Sequence, residues 1–530
     1  MKNFAGRGLP LFLIILAALA LRMVLLLTCL DTVNADQAVT GLMGMHVLKG
    51  SFPNFIWEYN YAGALIAYLA AINFKLFGVS ILSFKLSTFP LLVINIFFTC
   101  KLAARLYGRA SGLTTGLLLA VSPVFVTLFE IDPRGSYPET LALGAVLLYL
   151  AYIFSEEGCE TDWKGRSAVL GLLSGFAFWV SPLIIPYLAA SWLVFLGASR
   201  ASRTGRLLLL AGFCVLGCAP LVIYNIRHPF ATFLSLGSRP FDASRVDLME
   251  GLISAGPWKM SLKYISHYLR GFPSAAVNVF TGIFSIFSLA NPPAERFGAL
   301  GYAVGAVYLA PLCYFTAKTR KLNRSEILVY LAGSSVLFAL FGSLGYPRYL
   351  LPLWPAAAVL LAVSLVRMRE TSRALAVSIL LSVLSVNLGG TFLCAGIKSP
   401  SYEKLAAYLS ANDLRWGYAG YWTAYPLMFV SGEKIIVSPT LDLRTVHPRS
   451  KGAYPFYTDA VDVREKVFYI TNDDGASVAV FEEKAAKLKL GFKKAPVPPF
   501  MVYYSFSRRI YPADLDLPAS AAVIGDPFFY

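Results

Sequence analysis

Three stretches of this sequence bring together side chains that can exchange protons or hold a phosphate. The first runs from Asp31 to Pro53 and contains Asp36, Gln37, His46 and Lys49. Asp36 opens a helix-like run, so its carboxylate has two readings: an N-cap that satisfies free backbone donors, or a general base at a membrane-water boundary. The second stretch is Phe129-Glu130-Ile-Asp132-Pro-Arg134-Gly-Ser-Tyr137-Pro-Glu139. So many ionisable groups in a short loop at a bilayer edge must each find water or a partner. Arg134 can neutralise Glu130, Asp132 or Glu139, or the acids and Arg134 can gather beside Asp36 around one external cavity. The third is Gly345-Tyr346-Pro347-Arg348-Tyr349-Leu-Leu-Pro352. An arginine between tyrosines suits an aromatic-belt anchor and equally a guanidinium fork for the oxygens of a lipid phosphate. Lys85 and the pair Arg227-His228 carry charge that can serve the same place.

These residues are islands in an apolar chain. Of 530 residues 57% are hydrophobic and 14% charged, against roughly 25% charged in soluble proteins. That excludes an ordinary soluble enzyme and, equally, a disordered chain. Runs such as Leu9 to Leu30, Leu207 to Tyr224 and Ala374 to Leu393 approach or exceed the ~20 residues that cross a bilayer. The chain is therefore read as an α-helical polytopic membrane protein. Its net charge of +16 follows from basic residues in cytoplasmic loops and calls for the lipid bilayer, not nucleic acid, as partner. The seven cysteines, mostly inside apolar segments, and the four scattered histidines indicate neither a disulfide framework nor a metal site. There is no phosphate-binding glycine loop.

Charge also sets the topology. Lys2 and Arg7 precede the first apolar run, which should leave the cytoplasm and emerge near Asp31. A cleavable signal peptide ending at Val33-Asn34-Ala35 is the competing reading, against which the run is long. Arg22 lies inside that span and must face protein or water. Segment 61–77 is short and carries Asn73 and Lys75. Read as an interfacial helix that does not cross, it puts Lys101, Arg105 and Arg109 on the cytoplasmic side, as the positive-inside tendency requires. The later basic loops at Lys164/Arg166, Arg200/Arg203/Arg206, Lys318/Arg320/Lys321/Arg324 and Arg367/Arg369/Arg373 then fall in phase. Spans are predicted at 9–30, 83–107, 110–129, 138–155, 167–181, 183–198, 207–225, 297–316, 325–343, 350–366 and 374–393. Ser181-Pro182 reads as a turn between two spans or as a kink in one. The external side receives 31–82, 130–137, 226–296 and 394–530. The last piece alternates helix-like (Tyr402 to Leu409, Ser477 to Leu488) and strand-like runs (Lys434 to Val437, Lys466 to Ile470), as a small α/β domain does. Two domains are expected: transmembrane, 1–393, and extracytoplasmic, 394–530.

The order of these features resembles a known group. An acid follows the first span, then come GSFPNF and YNYAGALIAYLAAINFKLFGVS, Lys85 opening the second span, an acidic loop after the third, and later GFAFWVSPLIIPY and YPRYLLPLWP. Over about residues 1–370 the chain is similar to the GT-C superfamily of polyprenyl-phosphate-sugar-dependent glycosyltransferases, near the protein O-mannosyltransferase and aminoarabinose transferase branch (glycosyltransferase family 39-like). The resemblance implies a GT-C-like fold of about 11 transmembrane helices plus interfacial helices. It implies Asp36 as the acid at the catalytic centre, with Gln37 where many members have a second acid. Asp132 or Glu130 stands for the acid of the second loop, and segment 61–77 for the family's interfacial helix. The Lys-Pro-Pro of the aminoarabinose branch is replaced by Asn60-Tyr61-Ala62, so a phosphate ligand would have to come from Lys85 or Arg348.

The implied reaction moves a sugar, with inversion, from a polyprenyl-phosphate donor to the hydroxyl of a glycolipid, polysaccharide or protein. Catalytic candidates are Asp36, Asp132 and Glu130; substrate-binding candidates are Lys85, Arg134, Tyr137, Arg348 and Tyr349. No cofactor is certain, and a divalent cation remains open. Similarity to bacterial members implies the inner membrane, with the tail periplasmic. A transporter or flippase of lipid-linked sugars is the alternative, but it would place its ionisable residues near the midplane. A membrane-anchored binding protein acting through 394–530 is a third. The tyrosines and tryptophan of WGYAGYWTAYPLMF can stack on sugars or pack a core.

Overall fold

A computed structural model of the chain describes residues 2–28, 32–57, 59–156, 162–198, 203–229, 231–232, 326–342, 347–394, 402–439 and 454–515. The predicted span 297–316, most of the external piece 226–296, the basic loop 318–324 and Gly345-Tyr346 lie outside the described residues. Contacts divide the chain into two units that do not follow chain order. One holds Met1–Cys29, Tyr61–Gly63 and Ser87–Gly396; the other holds Leu30–Asn60, Ala64–Leu86 and Ile397–Tyr530.

The first unit is helical. By length and composition, the described residues contain four helices able to cross a membrane, Gly8–Thr28, Ile81–Tyr107, Tyr137–Glu156 and Arg373–Phe392, or up to six if each of two bent pairs is one span. The bent pairs correct the straight spans expected at 110–129 and 207–225. Arg109–Ala120 meets Val124–Glu130 at 81°, and Arg203–Gly217 meets Ala219–Arg227 at 68°. Each break has a proline at the start of its second helix, Pro123 just before Val124 and Pro220 in the first turn of Ala219–Arg227, where the missing N–H leaves a carbonyl of the preceding turn without its helical donor.

A broken helix inside an apolar bundle exposes carbonyls that must find donors. Two side chains, Arg22 and Asn387, supply them, and a third, Trp354, bonds a side chain at the break. Arg22 donates to Leu119 O at 3.2 Å and to Ala120 O, Asn387 Nδ2 to Val121 O at 2.7 Å, and Trp354 Nε1 to Ser122 Oγ at 3.2 Å. Arg22 is thus bundle-facing.

Ser181-Pro182 is a turn, not a kink. Trp192 Nε1 donates to Ser174 Oγ at 3.0 Å across 18 residues, a separation that would be about 27 Å in one straight helix. Helices Trp163–Val180 and Ile185–Gly197 therefore fold back on each other, with Ser181 Oγ accepting from Leu183 N. Trp163–Val180 also packs against Arg203–Gly217 along a glycine seam. A Cβ on Gly175 would lie 1.9 Å from Cys214 O, and one on Gly217 2.2 Å from Leu172 O.

In the second unit, helix Leu65–Phe77 has only 13 residues, too few to cross, in line with the non-spanning reading of 61–77. It packs on helix Ala35–Leu48 at Gly44, where a Cβ would lie 3.0 Å from Ala70 Cβ. Helix Ala35–Leu48 begins with a reciprocal capping box between Asn34 and Gln37. The cap is therefore Asn34, and the cap reading of Asp36 falls.

The tail folds as expected, α with β. Helices Tyr402–Ala411 and Gly475–Lys487 are present, the latter capped by Asp474. A five-stranded sheet runs β2-β1-β3-β5-β4. Its strands are β1 (Trp416–Tyr418), β2 (Ile436–Ser438), β3 (Phe468–Asn472), β4 (Lys493–Val497) and β5 (Phe500–Tyr504). β1 is parallel to β2 and β3, while β5 is antiparallel to β3 and β4. The core beside it holds Tyr418, Tyr469, Phe481 and Tyr503, with Phe481 stacked on Tyr503 at 4.1 Å. Helix Tyr421–Val430 packs on Ala35–Leu48 instead: Phe429 covers Gly41, whose Cβ would come within 2.6 Å of the ring, and lies 5.4 Å from Phe84 and 6.1 Å from Phe74.

Candidate functional site

In the helical unit, the second and third stretches of the sequence meet. Gly135 and Ser136 both take left-handed backbone, at φ 60° and 56°, and turn the chain from helix Val124–Glu130 into helix Tyr137–Glu156. A non-glycine residue held there stores strain, of a kind that clusters at working sites. The turn buries Asp132 and Arg134, whose Oδ2 and Nε pair at 2.6 Å. Tyr137 lies within electrostatic reach of Asp132, Arg134, Arg348 and Tyr349, and Phe129 meets its ring edge-on at 4.7 Å. The Arg348 guanidinium lies 5.6 Å from the Tyr349 ring centre. Five of the predicted residues thus share one partly buried, net basic cluster in which two guanidinium groups offer planar forks suited to phosphate oxygens.

Glu130 is placed otherwise. Its Oε2 pairs with Arg22 at 2.6 Å, both side chains almost wholly buried. Arg22 therefore joins the ends of the two halves of the bent pair, by carbonyls on one and a carboxylate on the other. Glu139 is fully buried in the first turn of its helix, and its carboxylate has no hydrogen-bond partner among the described residues.

The second unit holds Asp36 and Lys85. Asp36 stands in the first turn of helix Ala35–Leu48, half-buried, and its Oδ1 accepts a hydrogen bond from the Tyr421 hydroxyl at 2.9 Å. Lys85 is buried, and its Nζ donates to Thr32 O at 2.6 Å, four residues before Asp36. At the other end of the helix, Glu433 Oε1 sits 2.7 Å from His46 Nε2 and accepts from Tyr457 Oη at 2.6 Å, while Lys49 bonds Oε2. Burial pushes the Glu433 carboxyl up, but the hydrogen bonds from His46, Lys49 and Tyr457 outweigh it and hold it at about 2. His46 and Lys49 are thereby engaged in a clasp. Arg227 and His228 are exposed at the end of helix Ala219–Arg227. Among the described residues, no group of three or more His, Cys, Asp or Glu comes together to hold a metal.

Sequence reasoning left Tyr421 aside as a sugar-stacking or core side chain. Nothing local marks it apart from Tyr418 and Tyr425, which are buried in the same run.

The architecture defines a class, an apolar helical protein with broken helices, a short apolar helix and an α/β tail, and comparison with known proteins shows what it is similar to. Residues 63–224 match the family described as dolichyl-phosphate-mannose-protein mannosyltransferase. Among solved structures the chain is similar to ArnT from Cupriavidus metallidurans bound to undecaprenyl phosphate, with a TM-score of 0.63 at 14% identity, covering 97% of this chain and 99% of that one. The apo state of that protein gives 0.59 at 13% identity, covering 98% and 100%. Archaeal oligosaccharyltransferase AglB from Archaeoglobus fulgidus, in complex with an inhibitory peptide and a dolichol-phosphate, gives 0.50 at 13% identity, covering 97% and 75%. A comparison with curated protein sequences finds no match. The fold and the family match agree on the GT-C superfamily of membrane glycosyltransferases, as the sequence resemblance implied.

Proposed function

We propose that the protein transfers a sugar, with inversion, from a polyprenyl-phosphate donor to an acceptor hydroxyl at the external face of the plasma membrane. The observation that carries this reading is the basic cluster of Arg134 and Arg348 with Asp132, Tyr137 and Tyr349, in a chain whose fold is shared with ArnT bound to undecaprenyl phosphate. Asp36 takes the proton of the acceptor hydroxyl as its oxygen attacks the anomeric carbon. The bond from that carbon to the phosphate oxygen breaks, its electron pair leaving with the lipid phosphate. Arg134 and Arg348 stabilise the charge that gathers there, where little water competes. Lys85 adds positive charge beside Thr32, and Asp132 orients Arg134. Glu130 serves the bundle through Arg22. The acceptor is a glycolipid, polysaccharide or protein hydroxyl.

The test is transfer of radiolabelled sugar from a panel of undecaprenyl-phosphate donors, with wild type beside Asp36→Asn. Transfer by the wild type and a loss of about 100-fold or more in the variant are expected, since general-base contributions run to about 10²–10⁴. Normal turnover by the variant would remove Asp36 from the chemistry. A wild type silent with every donor would favour transport of lipid-linked sugars.

A further inference from the structure

We propose that Tyr421 is a positioning residue for Asp36, a phenol that fixes one oxygen of this carboxylate. The inference deepens the proposed function and rests on it. Asp36 is half-buried on the first turn of its helix. Tyr421, in contrast, is 5% exposed, with Tyr425 and Trp422 packed edge-on against it at 5.0 and 5.4 Å. Its helix, Tyr421–Val430, is keyed to helix Ala35–Leu48 by Phe429 over Gly41. A firmly packed donor thus meets Oδ1 of Asp36 at 2.9 Å.

Helix capping does not account for the bond, because Asn34 and Gln37 already complete the capping box. Nor does apolar packing, which a phenylalanine would satisfy. What the hydroxyl adds is direction and charge stabilisation: it fixes one carboxylate oxygen and favours the ionised form that a base needs. Among the described residues, the titratable groups on the elements packed around this helix include Tyr425 beside Tyr421, Tyr68 and Lys75 on Leu65–Phe77, and, at the far end, His46 and Lys49 with Glu433 and Tyr457. Lys85 bonds to Thr32 upstream.

The experiment compares full-length wild type, Tyr421→Phe and Tyr425→Phe, with undecaprenyl-phosphate mannose, glucose and galactose as donors. For Tyr421→Phe, kcat is expected to fall about 10-fold with the donor KM unchanged, as for a misplaced catalytic group. The acidic limb of kcat/KM should move up by about one pH unit as Asp36 loses a donor to its charged form. Tyr425→Phe should leave both as in wild type. A 3-fluorotyrosine in place of Tyr421, a stronger donor of nearly the same shape, should move the limb down. It keeps the ring whatever Tyr421→Phe does to folding, so the sign of its shift decides. An unmoved limb, a raised KM at constant kcat, or an equal effect from Tyr425→Phe would each overturn the proposal. With an active wild type these results sink only the role of Tyr421; a wild type silent with all donors sinks the proposed function as well.

Discussion

A guanidinium buried in the first helix needs both a counter-charge and acceptors, and Arg22 finds them in Glu130 and in the carbonyls of Leu119 and Ala120. Removing one partner of such a pair leaves the other charged and dry, at a cost of about 3–5 kcal/mol, whereas replacing both by apolar groups is far milder. Glu130→Gln should therefore lower the thermal midpoint of the detergent-solubilised protein by several degrees, and Arg22→Leu with Glu130→Leu should recover much of the loss. A Glu130→Gln protein as stable as wild type but inactive would place Glu130 in the chemistry instead. The proposed function draws the same distinction, between charge used for structure and charge that meets substrate, among the other candidates. His46 and Lys49 are taken up by Glu433, whereas Arg134 and Arg348 converge where chain segments far apart in sequence meet.

Helices in a bilayer gain little from the hydrophobic effect and approach closely only where small residues allow. Gly171 and Gly175, four apart, face Arg203–Gly217, and Gly217 faces back; a Cβ on Gly171 would lie 2.6 Å from Leu210 O. The obstructing atoms are backbone, which cannot yield as a side chain end can. Gly175→Ala is expected to cost about 1–3 kcal/mol through forced separation of the two helices, read as a lower thermal midpoint and yield of folded protein. Gly212→Ala, on the same helix with nothing within 4 Å of a Cβ, should be silent or slightly stabilising. Equal losses from both would mean that the seam does not set the packing. Such contacts explain why the hairpin at Ser181-Pro182 was undecidable in sequence: either a kink or a turn satisfies the local backbone, and only the Trp192–Ser174 bond tells them apart.

At the scale of the molecule, charge and element length assign sides to the membrane. Helix Leu65–Phe77 is too short to cross, so the loop after it should face outside. A cysteine in place of the exposed Val79 is expected to react with an impermeant maleimide in intact cells. Labelling only after permeabilisation would reverse the orientation proposed from the basic loops. What composition and charge spacing determined by themselves was the membrane class, a segment at 61–77 too short to cross, the α/β tail and the short set of ionisable residues worth watching. These follow from the transfer cost of charge and the length of an apolar run, which are properties of local sequence. Which arginine neutralises Glu130, which side chains meet the carbonyls at the helix break and that Tyr421 reaches Asp36 were decided by tertiary structure alone. Each is a choice among partners brought together by the fold, as Tyr421 and Asp36 are across 385 residues, and local sequence carries no term for which of several chemically equal partners the folded chain delivers.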